Sequence, residues 1–213
     1  TWGTPFSGGQ AVCGSIKTDG TLWSWGYNQY AALGQNNRTS YSSPIQIPGT
    51  TWSTASTSGE STAAIKTDGT LWMWGTNTQG TLGQNSTTKY SSPVQVPGTT
   101  WSSISSAYQQ FAAIKTDGTL WSWGYNNEGG LGQNDRTKYS SPVQIPGTTW
   151  VNVKPASNNG FIANKTDGTL WGWGRNDSGN LGQNNQADYS SPVQIPGTTW
   201  TLDQINQNNC RYG

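Results

Sequence analysis

Histidine is absent from this chain of 213 residues. The commonest general base and the commonest zinc ligand are therefore missing, and no serine or cysteine nucleophile can be paired with an imidazole. Charge is scarce too, with 11 Lys and Arg against 10 Asp and Glu, a net of +1. No field of one sign is available to draw the chain to nucleic acid or to an anionic membrane, so neither is expected as a partner. No apolar run approaches the roughly 20 residues of a membrane-spanning helix, and no segment has the form of a signal-peptide core. No glycine-rich phosphate loop lies between a strand pattern and a helix pattern, and no window shows a helical period. Together these absences argue against an enzyme and against any cofactor or metal site. The chain opens on Thr1 rather than Met, which points to a processed form or a piece of something longer.

What remains is polar, aromatic and periodic. One sentence is written in four copies: KTDGTLWxWG, then GQN, then YSSPxQxPGTTW. The copies start at Lys17, Lys66, Lys115 and Lys165, giving spacings of 49, 49 and 50 residues. Self-similarity at this period marks stacked or ring-closed supersecondary units. The copies run over about residues 2–51, 52–100, 101–149 and 150–199, with residues 200–213 starting another, and the whole reads as one domain.

The third copy illustrates the unit. Trp101–Ala107 reads as a short strand and Phe111–Ile114 as a second. Asp117-Gly118 sits between strand-like runs as a type I′ hairpin signal. Thr119–Trp123 is a third strand, and the proline-bracketed Ser141–Pro146 a fourth that suits an outer edge. Four short strands per copy is the content of a propeller blade. All 13 tryptophans fall at repeat positions. The two rings of WxWG lie two residues apart and so project from one strand face, where packing between neighbouring blades is their expected role. The four Asp are assigned to the turns, and the four Lys before them to a structural or solubilising role.

The run WGxNxxGxLGxN, preceded by a KTDG hairpin and followed by SSPxQI, resembles the regulator of chromosome condensation repeat. The resemblance covers essentially residues 2–213 and implies an all-β propeller, commonly of seven blades with four strands per repeat. The functions of that family diverge: nucleotide exchange, light sensing through a tryptophan–arginine cluster, inhibition of an enzyme by loops on one propeller face, and binding in surface or virion proteins. This chain lacks a basic arm and the GWRHT motif, which argues against the first two.

A seven-bladed ring of this period needs roughly 340 residues. Either four blades close on themselves, the favoured reading, or they form an open arc of a larger ring. Cys13 and Cys210 occupy the same repeat position near the two ends, the place of Phe111, Phe161 and Thr62. A disulfide fastening the seam, a bond between copies of the chain, and two free thiols are the alternatives. Four Asn-x-Ser/Thr triplets also occur, a number chance supplies in so polar a chain.

Function is expected where the copies differ. One window follows WG and contains Tyr27, Gln29 and Tyr30, then Thr76, Thr78 and Gln79, then Tyr125, Asn127 and Glu128, then Arg175, Asp177 and Ser178. The other lies between the first two strands and contains Tyr108 and Gln109. Asn28, Asn77, Asn126 and Asn176 do not vary and are assigned to bracing the loop backbone. Tyr, Asn, Gln and Arg suit protein or glycan contacts, against the alternative of neutral drift. The expected function is a non-enzymatic binding or adhesion module, outside the cell or on a virus particle. A self-assembling structural subunit is the alternative, and a secreted protein inhibitor a lesser one.

Overall fold

The computed structural model describes residues 1–8 and 12–201, and every element in it is a strand. The first sheet comprises β1 (Trp2–Gly8), β2 (Val12–Lys17), β3 (Leu22–Gly26) and β4 (Tyr41–Gln46). The second comprises β5 (Trp52–Thr57), β6 (Ser61–Lys66), β7 (Leu71–Gly75) and β8 (Tyr90–Gln95). The third comprises β9 (Trp101–Ala107), β10 (Gln110–Lys115), β11 (Leu120–Gly124) and β12 (Tyr139–Ile145), and the fourth β13 (Trp150–Ser157), β14 (Gly160–Lys165), β15 (Leu170–Gly174) and β16 (Tyr189–Ile195). Each sheet is an antiparallel meander in sequence order, so each copy of the repeat is one blade. The proline-bearing strands β4, β8, β12 and β16 lie at the outer edge, where a missing ladder N–H is tolerated.

The KTDG hairpin differs from the expected two-residue type I′ turn. Only the glycine has a positive φ, 77° at Gly118. Gly118 N–H donates to Lys115 O and Lys115 N–H to Thr119 O, both at 3.0 Å. Three residues thus span the turn, a type I turn closed by a left-handed glycine. Aspartate serves as an acceptor: Asp117 Oδ1 takes the Thr119 backbone N–H at 3.0 Å and its hydroxyl at 2.7 Å. The threonine hydroxyl in turn accepts Trp121 Nε1–H at 2.9 Å. Lys115 Nζ sits 4.7 Å from the Trp101 ring and 4.5 Å from Trp121, and the other three lysines stand likewise. The recurring lysine therefore has a structural role as a cation between two indoles, a contact contributing about 0.5–1 kcal/mol at exposed sites.

The cores lie between blades. Ile16, Leu22 and Ile47 of the first blade pack against Trp52 and Trp74 of the second. Ile65, Leu71 and Val96 receive Trp101 and Trp123, and Ile114, Leu120 and Ile145 receive Trp150 and Trp173. Each junction is sealed twice by hydrogen bonds. The third-strand indole reaches back across it: Trp74 Nε1–H to Ala32 O at 2.8 Å, Trp123 to Thr81 O at 2.8 Å, Trp173 to Gly130 O at 3.0 Å. A loop amide reaches forward: Asn36 N–H to Ser91 O, Asn85 to Ser140 O, Asn134 to Ser190 O, at 2.7–2.8 Å. Glycine is required beneath the indole. A Cβ on Gly34, Gly83 or Gly132 would stand 2.9–3.2 Å from the facing ring, and all three have φ of 67–68°.

Among the described residues, the blades follow one another in an open arc. Strand β1 packs on β5, β5 on β9 and β9 on β13, and no comparable packing joins β13 to β1 among the described residues. The all-β four-blade reading holds, and of its two closures the described residues form the arc rather than the closed ring. Trp2 is correspondingly 52% exposed, whereas Trp52, Trp101 and Trp150 are at most 3% exposed. Cys13 is half-buried on β2, paired across to Trp25 of β3. Cys210 lies outside the described residues, and so does the proposed seam bond.

Two outcomes follow for stability. Trp123→Phe removes a buried donor, orphans Thr81 O and leaves a void, and should cost about 2–4 kcal/mol by urea denaturation. Trp121→Phe, half-exposed with a local partner, should cost clearly less. The carboxyls of Asp19, Asp68, Asp117 and Asp167 are held below their ordinary 3.8, chiefly by the threonine hydroxyl and then by the threonine N–H. Their contribution is complete above the unfolded-state value and is lost as pH falls through the lower folded-state values. The urea midpoint should thus drop below about pH 4, and less steeply when all four are changed to Asn.

Candidate binding face

In a four-stranded antiparallel meander, the first–second and third–fourth connections emerge at one end, and the second–third connection at the other. Both variable windows are therefore carried to one face of the arc, and the constant KTDG turns to the opposite face. Backbone bonds join the windows within the second, third and fourth blades: Thr76 N–H to Glu60 O, Tyr125 N–H to Gln109 O and Arg175 N–H to Asn159 O, at 2.9–3.0 Å. On the constant face the PGTTW segment is tied to the KTDG turn, as in Trp101 N–H to Gly69 O at 3.0 Å. The linear sequence scatters these windows over some 150 residues, and the meander gathers them.

The invariant asparagines hold the variable loops in shape. Asn126 is fully buried. Its Nδ2 donates to Asp135 O at 3.2 Å and Thr137 O at 2.9 Å, while its Oδ1 accepts Leu131 N–H at 2.9 Å. Asn28, Asn77 and Asn176 make the corresponding set. Each loop is thus closed by one side chain, and the residues around it are free to differ.

Most singled-out residues reach this surface, in different states. Tyr27 is exposed and meets Tyr30 edge-on at 5.9 Å. Thr78, Asn127, Asp177 and Ser178 are exposed loop-tip residues, and Gln79 is half-buried. Arg175 is exposed and donates through Nε to Asp177 Oδ2 at 2.8 Å. Tyr108 is exposed with its N–H on Asn158 O at 2.7 Å. Gln109 crosses a blade junction, donating through Nε2 to Glu60 Oε2 at 2.9 Å. Tyr125 lies 5.3 Å beneath Lys138 Nζ and donates weakly to Glu128 Oε1 at 3.4 Å. Burial first, and then the Glu128 charge, push its hydroxyl above the usual 10. Thr76 is buried, its carbonyl taken by the Ser61 hydroxyl at 2.7 Å, and contributes only to the wall of a cleft.

That cleft, about 400 Å³, opens between the first and second blades. Gln29 and Tyr30 meet Arg38 there from one side, and Lys89 and Tyr90 from the other. Arg38 and Lys89 belong to a third variable window, residues 37–40, 86–89, 135–138 and 185–188, in addition to the two predicted from the sequence. The window hid inside a constant frame, between GQN and the tyrosine of the fourth strand. Between the third and fourth blades the equivalent position holds an acid, and Arg136 stands 4.0 Å from Asp188. Between the first and second, Lys89 replaces that acid and Arg38 has no ion-pair partner among the described residues.

Comparisons with known proteins agree with this geometry. The model of the Regulator of chromosome condensation (RCC1) repeat matches residues 19–65, 68–114, 117–156 and 167–201, and the chain belongs to that family of propeller repeats. Human WBSCR16 is similar in structure, with a TM-score of 0.81 at 21% identity over 91% of this chain and 52% of that one. Prp20p of Saccharomyces cerevisiae, studied for its binding to Gsp1p and histones, gives 0.81 at 16% identity over 92% and 51%. The same yeast protein, as RCC1 (Prp20) bound to Kap60, gives 0.79 at 17% identity over 92% and 49%. At these identities the likeness establishes the fold, and this chain spans about half the length of those it matches. No curated protein matches in sequence.

Asn126→Ala should orphan one buried N–H and two carbonyls, costing about 2–4 kcal/mol in urea denaturation. Asn127→Ala, one residue on and exposed, should change stability by less than about 0.5 kcal/mol.

Proposed function

We propose that the chain is a non-enzymatic binding scaffold whose variable face recognises another protein. One observation carries the reading: among the connections between strands, those in which the copies differ lie on one face, while those on the opposite face repeat the same turns. Drift alone has no reason to spare one face. Buried asparagines supply rigidity, and exposed tyrosines, amides and Arg175 supply contacts of the kind that dominate protein recognition. Prp20p, similar in fold, was studied for its binding to Gsp1p and histones and in complex with Kap60, which supports a protein partner over a small molecule.

The cleft between the first two blades gives the partner a chemistry. Arg38 and Lys89 stand without a facing carboxylate beside Tyr30, Tyr90 and three amide side chains, Gln29, Asn36 and Asn37. A partner segment presenting Asp or Glu complements it. A glycan, held by the exposed Tyr27 and Tyr108 rings on a module outside the cell or on a virus particle, is the competing reading.

The test is to apply wild type and an Arg38→Glu, Lys89→Glu double variant to a peptide array and a glycan array. Wild type should retain Asp/Glu-rich peptides, and the variant should bind them at least about tenfold more weakly. Retention of glycans alone, or of acidic peptides equally by both proteins, would overturn the reading.

A further inference from the structure

Three junctions join four blades, and each junction has a donating and an accepting side. The arc therefore ends in two unlike half-junctions. On the first blade, Trp25 occupies the place of Trp74, Trp123 and Trp173, yet it is half-buried and its Nε1–H has no acceptor among the described residues. The Ser42 carbonyl occupies the place of Ser91, Ser140 and Ser190 and receives no loop amide among the described residues. On the fourth blade, Asn180 O stands where Ala32, Thr81 and Gly130 accept an indole, and receives none among the described residues. Asn184 N–H stands where Asn36, Asn85 and Asn134 donate, with no partner among the described residues. Each group left over at one end has its complement at the other.

The fourth blade already has the shape of a seat. Asn184 has φ of 55°, within the 52–60° of its three bonded counterparts. Gly182 has φ of 64°, like the glycines beneath the other indoles, but a Cβ there would meet only Ile195 Cγ2, at 3.4 Å. A Cβ on Gly80 or Gly129 would strike Ser140 or Ser190 of the next blade at 2.5–2.6 Å, whereas one on Gly179 would meet nothing nearer than 3.9 Å. Loop and glycines thus hold the bonded geometry with no described residue in the seat. Residues 201–213 contain no tryptophan, so they do not supply the indole.

We propose that the fourth blade docks the first blade of a second copy of this chain, with Trp25 Nε1–H on Asn180 O and Asn184 N–H on Ser42 O. The arc matches about half of each longer propeller chain, so two copies joined at both ends make a ring of comparable size. Each copy is then donor at one joint and acceptor at the other, a two-fold arrangement that closes. Trp200 N–H already bonds Gly168 O, as Trp52, Trp101 and Trp150 bond the preceding turns. The first-strand place at the joint is thus claimed by Trp200 of one copy and Trp2 of the other, and one of them yields. The inference does not depend on the variable face being a binding site.

Sedimentation equilibrium of the full chain tests it. Wild type should sediment at twice the 22.9 kDa chain mass. Trp25→Ala removes the indole, and Gly182→Asn fills the seat with a residue that tolerates positive φ. Each should raise the dimer dissociation constant at least about tenfold, with circular dichroism unchanged. An equimolar mixture of the two variants retains one intact joint and should pair again. A monomeric wild type would overturn the proposal, as would a dimer that both variants leave intact. A variant that loses its circular dichroism is replaced by Trp25→Phe, which keeps the ring and removes only the donor.

Discussion

The structure depends on one contact made three times: an indole from the third strand of a blade, laid over a left-handed glycine of the preceding blade and hydrogen-bonded to a carbonyl there. A blade of four strands of five to eight residues buries little by itself. Its isoleucines, leucines and valines are covered only when the next blade brings its two tryptophans, as expected of repeat arrays whose stability resides in nearest-neighbour interfaces. The indole contributes area and direction together. Its apolar body fills the junction, and its one N–H admits a single orientation, so the seat fixes the angle at which blades succeed one another. Repeated three times, that angle spreads four blades over an arc resembling half of a larger propeller.

This construction separates stability from recognition. The indoles, the KTDG turns with their aspartate acceptors and the lysines between indoles recur in every blade. The variable loops hang from the same frame, closed by the buried Asn28, Asn77, Asn126 and Asn176. A loop whose backbone is satisfied by one buried amide can change its exposed residues at little cost. The first three blades show Tyr27, Thr78 and Asn127 at such positions, and the fourth Arg175 with Asp177. Binding residues could thus diversify without weakening the junctions.

Much of this was legible in the sequence because a repeat displays its own constraints. Strand positions, outer prolines, bracing asparagines and the packing role of the tryptophans could be read from one copy and checked in the others. The turn type was misjudged because Asp-Gly is a signal for two-residue loops, whereas the ladder here closes from lysine to threonine across three residues. Arg38 and Lys89 were missed because they sit inside the constant frame and acquire meaning only when two blades bring them into one cleft. Closure was ambiguous for a related reason: identical repeats fix neighbour contacts, while the angle between neighbours arises from side-chain packing that no spacing records. Trp25 reads the same as Trp74 in sequence, and only the blade that precedes it distinguishes them.

The most direct test is hydrogen exchange at the indole Nε1–H groups, followed by NMR over a range of protein concentrations. The account predicts that Trp74, Trp123 and Trp173 exchange slowly and independently of concentration. Trp25 should exchange rapidly in dilute solution and become protected as concentration rises. Protection of Trp25 in the dilute monomer, or exchange of the other three as fast as Trp25, would contradict it.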